Sequence, residues 1–429
     1  MEPRRLAYDL LQRLERNNQF SNIILDRALT DNGMSDADKG LATALLYGVT
    51  ERRLTLDFQI SRLSSRPIGD LDLSVLTALR MGLYQLIYMD RIPPHAAINE
   101  TVSLCSRKTA GFVNAILRGY TRDPKLEYPS SEADPCGYLS VRFSICPPLA
   151  RRLANDLGFS DAVSLLEGFE ARKPETTLSA NTVKITRDEL LDKIPGAVKT
   201  KYSQRGLHVG GSVRNLYGFD EGLFFVQDEA SQICVSALGA LAGETVIDTC
   251  SCPGSKSFGA AISMNNEGKI LSFDLHEKKL PLIVSGAARL GINIISASAC
   301  DGRRFLPELE GVADRVLCDV PCSGFGVLSK KPELRYKDPK ESEALPDIQL
   351  AILENACKYL KSGGTLVYST CTVLPKENEE NVKRFLERHK DFYIEPFSAC
   401  GLDVKDGYVT LRPDIHGTDG FFLARLKKR

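Results

Sequence analysis

From about residue 221 onward, short apolar runs alternate with helical stretches, and that rhythm confines the C-terminal half to one kind of fold. Strand candidates are Glu244–Asp248, Lys269–Asp274, Ile292–Ala297, Arg315–Asp319 and Thr365–Ser369, with helical stretches such as Glu277–Leu290 and Asp347–Leu360 between them. Strands separated by helices cannot pair as tight hairpins; they form a mainly parallel sheet covered by helices on both faces. Residues 221–429 are therefore expected to be an α/β, Rossmann-like domain.

The N-terminal part has a different period. Leu6, Leu10, Leu11 and Leu14 recur at helical spacing, as do Ala42, Leu45, Leu46 and Val49. A long amphipathic stretch over 73–90 stops at Arg91-Ile92-Pro93-Pro94, and helical signals resume over 95–102 and 111–118. Residues 1–125 thus read as an all-helical domain. Asp123-Pro124, Tyr128-Pro129 and Asp134-Pro135 mark a linker over 121–137. Residues 138–220 read as a small α+β domain, with helices at Arg151–Leu157 and Arg187–Ile194 and a strand at Thr176–Ile185. Three domains suit a chain of 429 residues, too long for a single hydrophobic core.

Composition narrows the classes. The 55 basic residues balance 55 acidic ones, which argues against a protein that coats nucleic acid by bulk charge but leaves room for a local basic groove. Residues 1–125 carry 17 Lys and Arg against 14 Asp and Glu, too small a bias to decide anything. No apolar run reaches the roughly 18–20 residues of a membrane-spanning helix, and charges interrupt the first residues where a secretory signal would be apolar. A cytoplasmic protein with reduced thiols is the expectation. The 12 cysteines include no Cys-x-x-Cys and the five histidines are scattered, so no metal site is expected.

In a doubly wound sheet, ligands bind beyond the C-terminal ends of the strands. The first strand leads into Cys250-Ser251-Cys252-Pro253-Gly254-Ser255-Lys256, a loop of small residues that lets a ligand approach the backbone at a helix N terminus. Asp274 ends the second strand, 20 residues after Gly254, about where an acidic residue binds ribose hydroxyls. Asp301 follows the third strand and could accept a hydrogen bond from an adenine amino group. Neither G-x-G-x-x-G nor a P-loop is present, which favours an adenosyl ligand without a pyrophosphate.

The fourth and fifth strands end in Asp319-Val320-Pro321-Cys322-Ser323-Gly324 and Ser369-Thr370-Cys371-Thr372, so two cysteines fall at the edges of what would be neighbouring strands. Cys250, Cys252, Cys300 and Cys318 have the contexts of small buried spacers. Asp-x-Pro-Cys-Ser-Gly and Ser-Thr-Cys, together with Val226-Gln227-Asp228-Glu229-Ala230-Ser231 and Thr418-Asp419-Gly420-Phe421-Phe422, resemble the RNA 5-methylcytosine methyltransferases, and among them the RsmB (Sun/Fmu) family. Ile92-Pro93-Pro94-His95-Ala96-Ala97-Ile98-Asn99-Glu100 and Phe112–Arg118 resemble NusB, an RNA-binding antitermination factor. A NusB-like domain joined to such a methyltransferase is the RsmB arrangement, and the resemblance covers nearly the whole chain.

What the resemblance implies is specific. S-adenosylmethionine would be held by residues 250–256, Asp274, Asp301 and Asp319, and the substrate would be a cytosine of small-subunit (16S) ribosomal RNA before full ribosomal-protein assembly. Cys371 would be the nucleophile that adds to C6, making C5 reactive toward the methyl group. Cys322 would assist release of the methylated base. Asp319 would contact the base, and a protonated Asp319 carboxyl could hydrogen-bond N3. Lys256, if near, could favour the thiolate. Both Pro-Cys and Thr-Cys motifs are present, as in the RNA rather than the DNA enzymes. No DNA or membrane partner is expected, and the chain is expected to act as a monomer.

Two positions depart from the family pattern. Ser255 stands where Ala-Pro-Gly-Gly-Lys-Thr has its second glycine, which could impose a different backbone angle. Leu178-Ser179-Ala180-Asn181 stands where the family has Leu-Arg-x-Asn, losing an arginine that could contact RNA. A transfer RNA substrate, or a binding factor with a weakened catalytic domain, are the competing readings.

Overall fold

A computed structural model describes residues 2–17, 21–29, 33–172 and 175–429. The chain forms two compact units, Met1–Glu167 with Lys330–Pro339, and Gly168–Ser329 with Lys340–Arg429.

The first unit is helical among its described residues. It contains α1 (Pro3–Asn17), α2 (Ser21–Leu29), α3 (Asp36–Glu51), α4 (Arg53–Leu63), α5 (Leu73–Tyr88), α6 (Pro94–Ser103), α7 (Arg107–Arg122), α8 (Pro135–Phe143) and α9 (Pro147–Leu157). Pro93-Pro94 both breaks and restarts the chain, since Pro94 is the first residue of α6, where a missing N–H costs nothing. Asp134-Pro135 acts likewise: it reads as linker, but the Asp134 carboxylate accepts from Gly137 N and Pro135 opens α8. The irregular stretch is accordingly shorter than its proline content suggests. α5 lies at the centre, with Val75, Ala78, Leu79, Met81 and Leu83 all buried.

Arg80 of α5 is buried among them. It donates to both Asp57 oxygens (2.6 and 2.7 Å) and to Glu15 (2.8 Å), joining α5 to α4 and α1. The segment Lys330–Pro339 belongs to this unit through Arg335, which is fully buried, donates to Phe143 O at 2.8 Å and pairs with Glu51 at 3.1 Å.

α10 (Phe159–Ala171) carries the chain into the second unit. There, β1 (Thr176–Ala180), β2 (Val198–Lys199), β3 (Gly206–Val209) and β4 (Phe224–Val226) form an antiparallel sheet in the order β2-β3-β1-β4, with α11 (Arg187–Lys193) beside it. β1 is shorter than its apolar run. The chain turns at Asn181, whose side chain donates to Gly222 O and Leu290 O.

The main sheet begins after α12 (Glu229–Leu238). β5 (Thr245–Asp248), α13 (Ser255–Ser263), β6 (Lys269–Asp274), α14 (Leu280–Leu290), β7 (Ile295–Ala299), β8 (Ala313–Asp319), α15 (Leu345–Ala356), β9 (Leu360–Thr370) and α16 (Glu379–Arg388) follow in turn. β10 (Phe392–Ile394), β11 (Phe397–Ala399), β12 (Leu402–Val404), β13 (Tyr408–Leu411), α17 (Pro413–His416) and β14 (Phe421–Lys428) complete the chain. The order is β10-β14-β9-β8-β5-β6-β7, parallel from β9 to β7, with β14 antiparallel to β9 and β13 also on β14. Strand order reverses beside β5, which is the switch point where such sheets bind ligands. Period-2 alternation sends Leu317 into the core under α12–α14, and Val316 and Cys318 into the core under α15 and α16.

Removing the Arg80 side chain leaves Asp57 and Glu15 half-buried without their shared cation. Arg80→Ala is expected to destabilise the helical unit by roughly 2–4 kcal/mol, read as a lower denaturation midpoint by circular dichroism.

Candidate active site

The C-terminal ends of β5, β6, β7 and β8 and the loops that follow are tied to one another by hydrogen bonds, most of them between backbone groups. Ser251 N and Oγ donate to Phe273 O at 2.8 and 2.9 Å, Cys252 N to the Asp274 carboxylate at 3.2 Å, and Cys300 N to Asp274 O at 2.9 Å. Thr249 N donates to Leu317 O at 3.0 Å. The left-handed residue of the first loop is Gly254, at φ +106°, and a Cβ there would lie 2.6 Å from the Phe258 ring. Ser255 is the first residue of α13 and needs no left-handed backbone, so the departure from glycine imposes no strain. No side chain caps α13. An uncapped helix N terminus with carboxylates ending successive parallel strands suits an adenosyl ligand bearing an amino acid. Asp274 is held by Cys252 N and His276 N, whereas the Asp301 carboxylate is occupied by Arg303, at 2.7 Å.

The second cluster follows from strand register. β8 and β9 pair with Asp319 opposite Ser369, which places their final residues side by side. Lys256 Nζ donates to Asp319 Oδ2 at 2.7 Å and Ser369 Oγ to Oδ1 at 2.8 Å. Cys322 and Cys371 lie with their sulfurs 2.8 Å apart, and Cys371 N donates to Cys322 Sγ at 3.2 Å. The two cysteine loops share further supports. Ser323 Oγ donates to Thr372 Oγ1 at 2.8 Å, Ser323 N to Glu377 Oε2 at 2.9 Å, and Asn378 Nδ2 to Thr372 O at 3.0 Å.

Burial alone would lower the Lys256 pKa. The Asp319 charge, with Cys234, the Asp319 hydrogen bond and Cys371, overcomes it and holds the ammonium above the ordinary lysine range. Cys322 is raised well above an ordinary thiol, first by its hydrogen bond to Cys371, then by burial and by the charge on Cys371. Burial pushes Cys318 up to about 12 and raises Cys250 well above the thiol range, in keeping with inert spacers. Burial also lifts Asp248 to about 7, opposed by the Ser257 hydrogen bond at 2.6 Å.

Cys322, Cys371, Asp319 and Lys256 thus come together, and residues 250–256 adjoin Asp274. Asp319 accepts from both Lys256 and Ser369. Ser179, where the family pattern has an arginine, is fully buried in β1. Sequence reading passed over Ser369 and Asp248. Ser369 could have been found by pairing the two strand ends, but nothing marked Asp248 as fully enclosed.

Parallel strands ordered around β5, a small-residue loop at the switch point and an acid beside a cysteine pair define an S-adenosylmethionine-dependent methyltransferase. The family model described as "16S rRNA methyltransferase RsmB/F" matches residues 235–427, and that of the NusB family matches residues 1–122. A Bacillus subtilis (strain 168) protein named "Probable ribosomal RNA small subunit methyltransferase B" is 35% identical over 99% of this chain and 98% of its own length. "Ribosomal RNA small subunit methyltransferase B" of Escherichia coli O7:K1 is 32% identical over 97% of this chain and 96% of its own. Among solved structures, that of PH0851 superposes with a TM-score of 0.79 at 25% identity, covering 100% of this chain and 99% of that one. The chain belongs to the RsmB/F family of ribosomal RNA small-subunit methyltransferases.

The Asp248 shift has a measurable consequence. In the folded protein the carboxyl keeps its proton up to about pH 7, whereas unfolded it ionises near 3.8. The folded state binds the extra proton within that window, so this group's contribution to stability falls as pH rises from 3.8 to 7 and is constant above. Asp248→Asn lacks that fall. In thermal unfolding without cofactor, the variant should gain on wild type between pH 4 and 7, by on the order of 2–4 kcal/mol. A pH-independent difference would contradict it.

Proposed function

We propose that this enzyme methylates C5 of a cytosine in 16S ribosomal RNA through a covalent adduct between Cys371 and C6 of the base. The observation that carries this reading is the pair of thiols 2.8 Å apart beside the Lys256–Asp319 ion pair. Cytosine C5 is too weak a nucleophile to react unaided. A Cys371 thiolate adding to C6 moves electron density to C5, splitting one hard step into two easier ones. S-adenosylmethionine, when bound, supplies the electrophilic methyl group, and residues 250–256 with Asp274 would hold it. Asp301 and Asp319 complete the set proposed to hold it. The base must leave its stack to expose C6. Asp319, fixed by Lys256 and Ser369, would accept an N–H from the base edge.

The pKa of Cys322 supports separate roles for the two sulfurs. While Cys371 is free, its hydrogen bond and charge keep Cys322 protonated. Once Cys371 is bonded to C6 that influence is gone and only burial and Glu377 still hold the thiol up; in this proposal Cys322 then loses its proton to solvent and takes the one on C5. The C5–H electrons then reform the C5–C6 double bond, and the C6–S bond breaks to return the Cys371 thiolate.

Cys371→Ala should lower turnover at least roughly 10³-fold. Cys322→Ala should accumulate a protein–RNA adduct that survives denaturing electrophoresis. Normal turnover without adduct in Cys322→Ala would refute the release role. Bisulfite sequencing of small-subunit ribosomal RNA should show one protected cytosine that disappears with the gene and returns with wild type but not with Cys371→Ala. An unchanged pattern would overturn the proposed substrate and direct sequencing to transfer RNA.

A further inference from the structure

The carbonyl of Cys371 accepts a hydrogen bond from Gly326 N at 2.9 Å, and Gly326 lies four residues beyond Cys322 on the other cysteine loop. Gly326 O in turn accepts from Gly420 N at 2.7 Å. These contacts are made by bare backbone. A Cβ on Gly326 would lie 1.9 Å from Gly420 O and 2.8 Å from Cys371 O, and one on Gly420 would lie 2.7 Å from Gly326 Cα. Three chain segments, distant in sequence, are therefore stacked at a spacing that no side chain permits.

The outermost of the three is anchored by charge. Asp419, next to Gly420, is buried and paired with Arg172 Nη1, and Ser329 Oγ also reaches it at 3.5 Å. Arg172 lies 3.9 Å from Asp228 as well, the residue whose carboxylate caps α12. A buried carboxylate needs its cation, and this one holds the backbone that holds Gly326.

We infer that Arg172 and Asp419 are positioning residues for the two-cysteine chemistry: through Gly420 and Gly326 they fix the spacing between Cys371 and Cys322. The inference rests on the covalent mechanism proposed above. Neither residue touches the reacting atoms. Loosening the anchor lets the sulfurs separate and weakens the hydrogen bond between them, while the loops after β5, β6 and β7 stay intact.

The test compares Asp419→Asn, Arg172→Gln and Arg172→Lys with wild type and with Cys371→Ala. Three quantities are read: single-turnover methylation of the ribosomal RNA, S-adenosylhomocysteine affinity by calorimetry, and the pH dependence of iodoacetamide labelling at Cys371. Asp419→Asn and Arg172→Gln should each slow methylation at least tenfold and shift the labelling profile. Their S-adenosylhomocysteine affinity should stay within about twofold of wild type, and Arg172→Lys, which keeps the charge, should recover most of the rate. Wild-type rates and labelling profiles in both neutral variants would overturn the inference. So would losses of rate that merely match losses of cofactor affinity and folded protein. An active Cys371→Ala would instead refute the covalent mechanism, whereas its inactivity beside a fully active Asp419→Asn would remove the positioning role alone.

Discussion

The register of two parallel strands governs the rest of the site. β8 and β9 pair with Asp319 opposite Ser369, so the loops that follow begin at the same level of the sheet. Cys322 is three residues past Asp319 and Cys371 two past Ser369, and both chains need only one turn to bring their sulfurs together. A slip of one residue would reverse the faces of the whole strand. It would carry Ser369 away from Asp319 and exchange the residues that β9 sends to the two cores. Packing on both faces of the sheet therefore enforces the spacing of the two cysteines.

Electrostatics then sorts the groups that the register has assembled. Lys256 is charged despite burial because Asp319 stands 2.7 Å away, and Asp319 is satisfied on both oxygens. Asp248, one strand over, has no such cation as its hydrogen-bond partner and is lifted to about 7 by burial, opposed by the Ser257 hydrogen bond, the Lys256 charge and the Cys250 backbone. Two aspartates at the ends of neighbouring strands thus differ in character because one faces an ammonium and the other a hydroxyl. The cysteines divide in the same way. Those sunk in the sheet, such as Cys318, are made inert, while Cys322 owes its raised value first to another sulfur.

Much of this was legible in the sequence because periodicity survives where each strand or helix has a single buried face or is buried on both. β6 falls at Lys269–Asp274, as the apolar run indicates, and α5 fills the stretch ended by Pro93-Pro94. The cysteine pair was legible from motif and resemblance. Other features had no local signal. Nothing in the sequence around Lys330–Pro339 marks Arg335 as fully buried, since its guanidinium finds Glu51 and Phe143 O from distant helices. β1 stops at Ala180 because Asn181 bonds to two carbonyls remote in sequence. The apparent threat from Ser255 dissolved for a local reason: the strained dihedral belongs to Gly254, and the helix begins one residue later.

The site combines two kinds of precision. Groups that must change charge or bonding, Cys322 and Cys371, meet through side chains whose hydrogen bonds can be remade during a reaction. The supports behind them are of another sort: Gly326 and Gly420 contact Cys371 and each other through backbone alone. A backbone contact has no rotamer to adjust, so it transmits position without yielding when a neighbouring thiol is consumed. Glu377 and Asn378 complete the frame with bonds to both cysteine loops, Ser323 N for one and Thr372 O for the other. A rigid frame around two soft sulfurs is what a step-sharing pair requires: one sulfur must bond to the base and the other take its proton while the backbone that carries both stays in place.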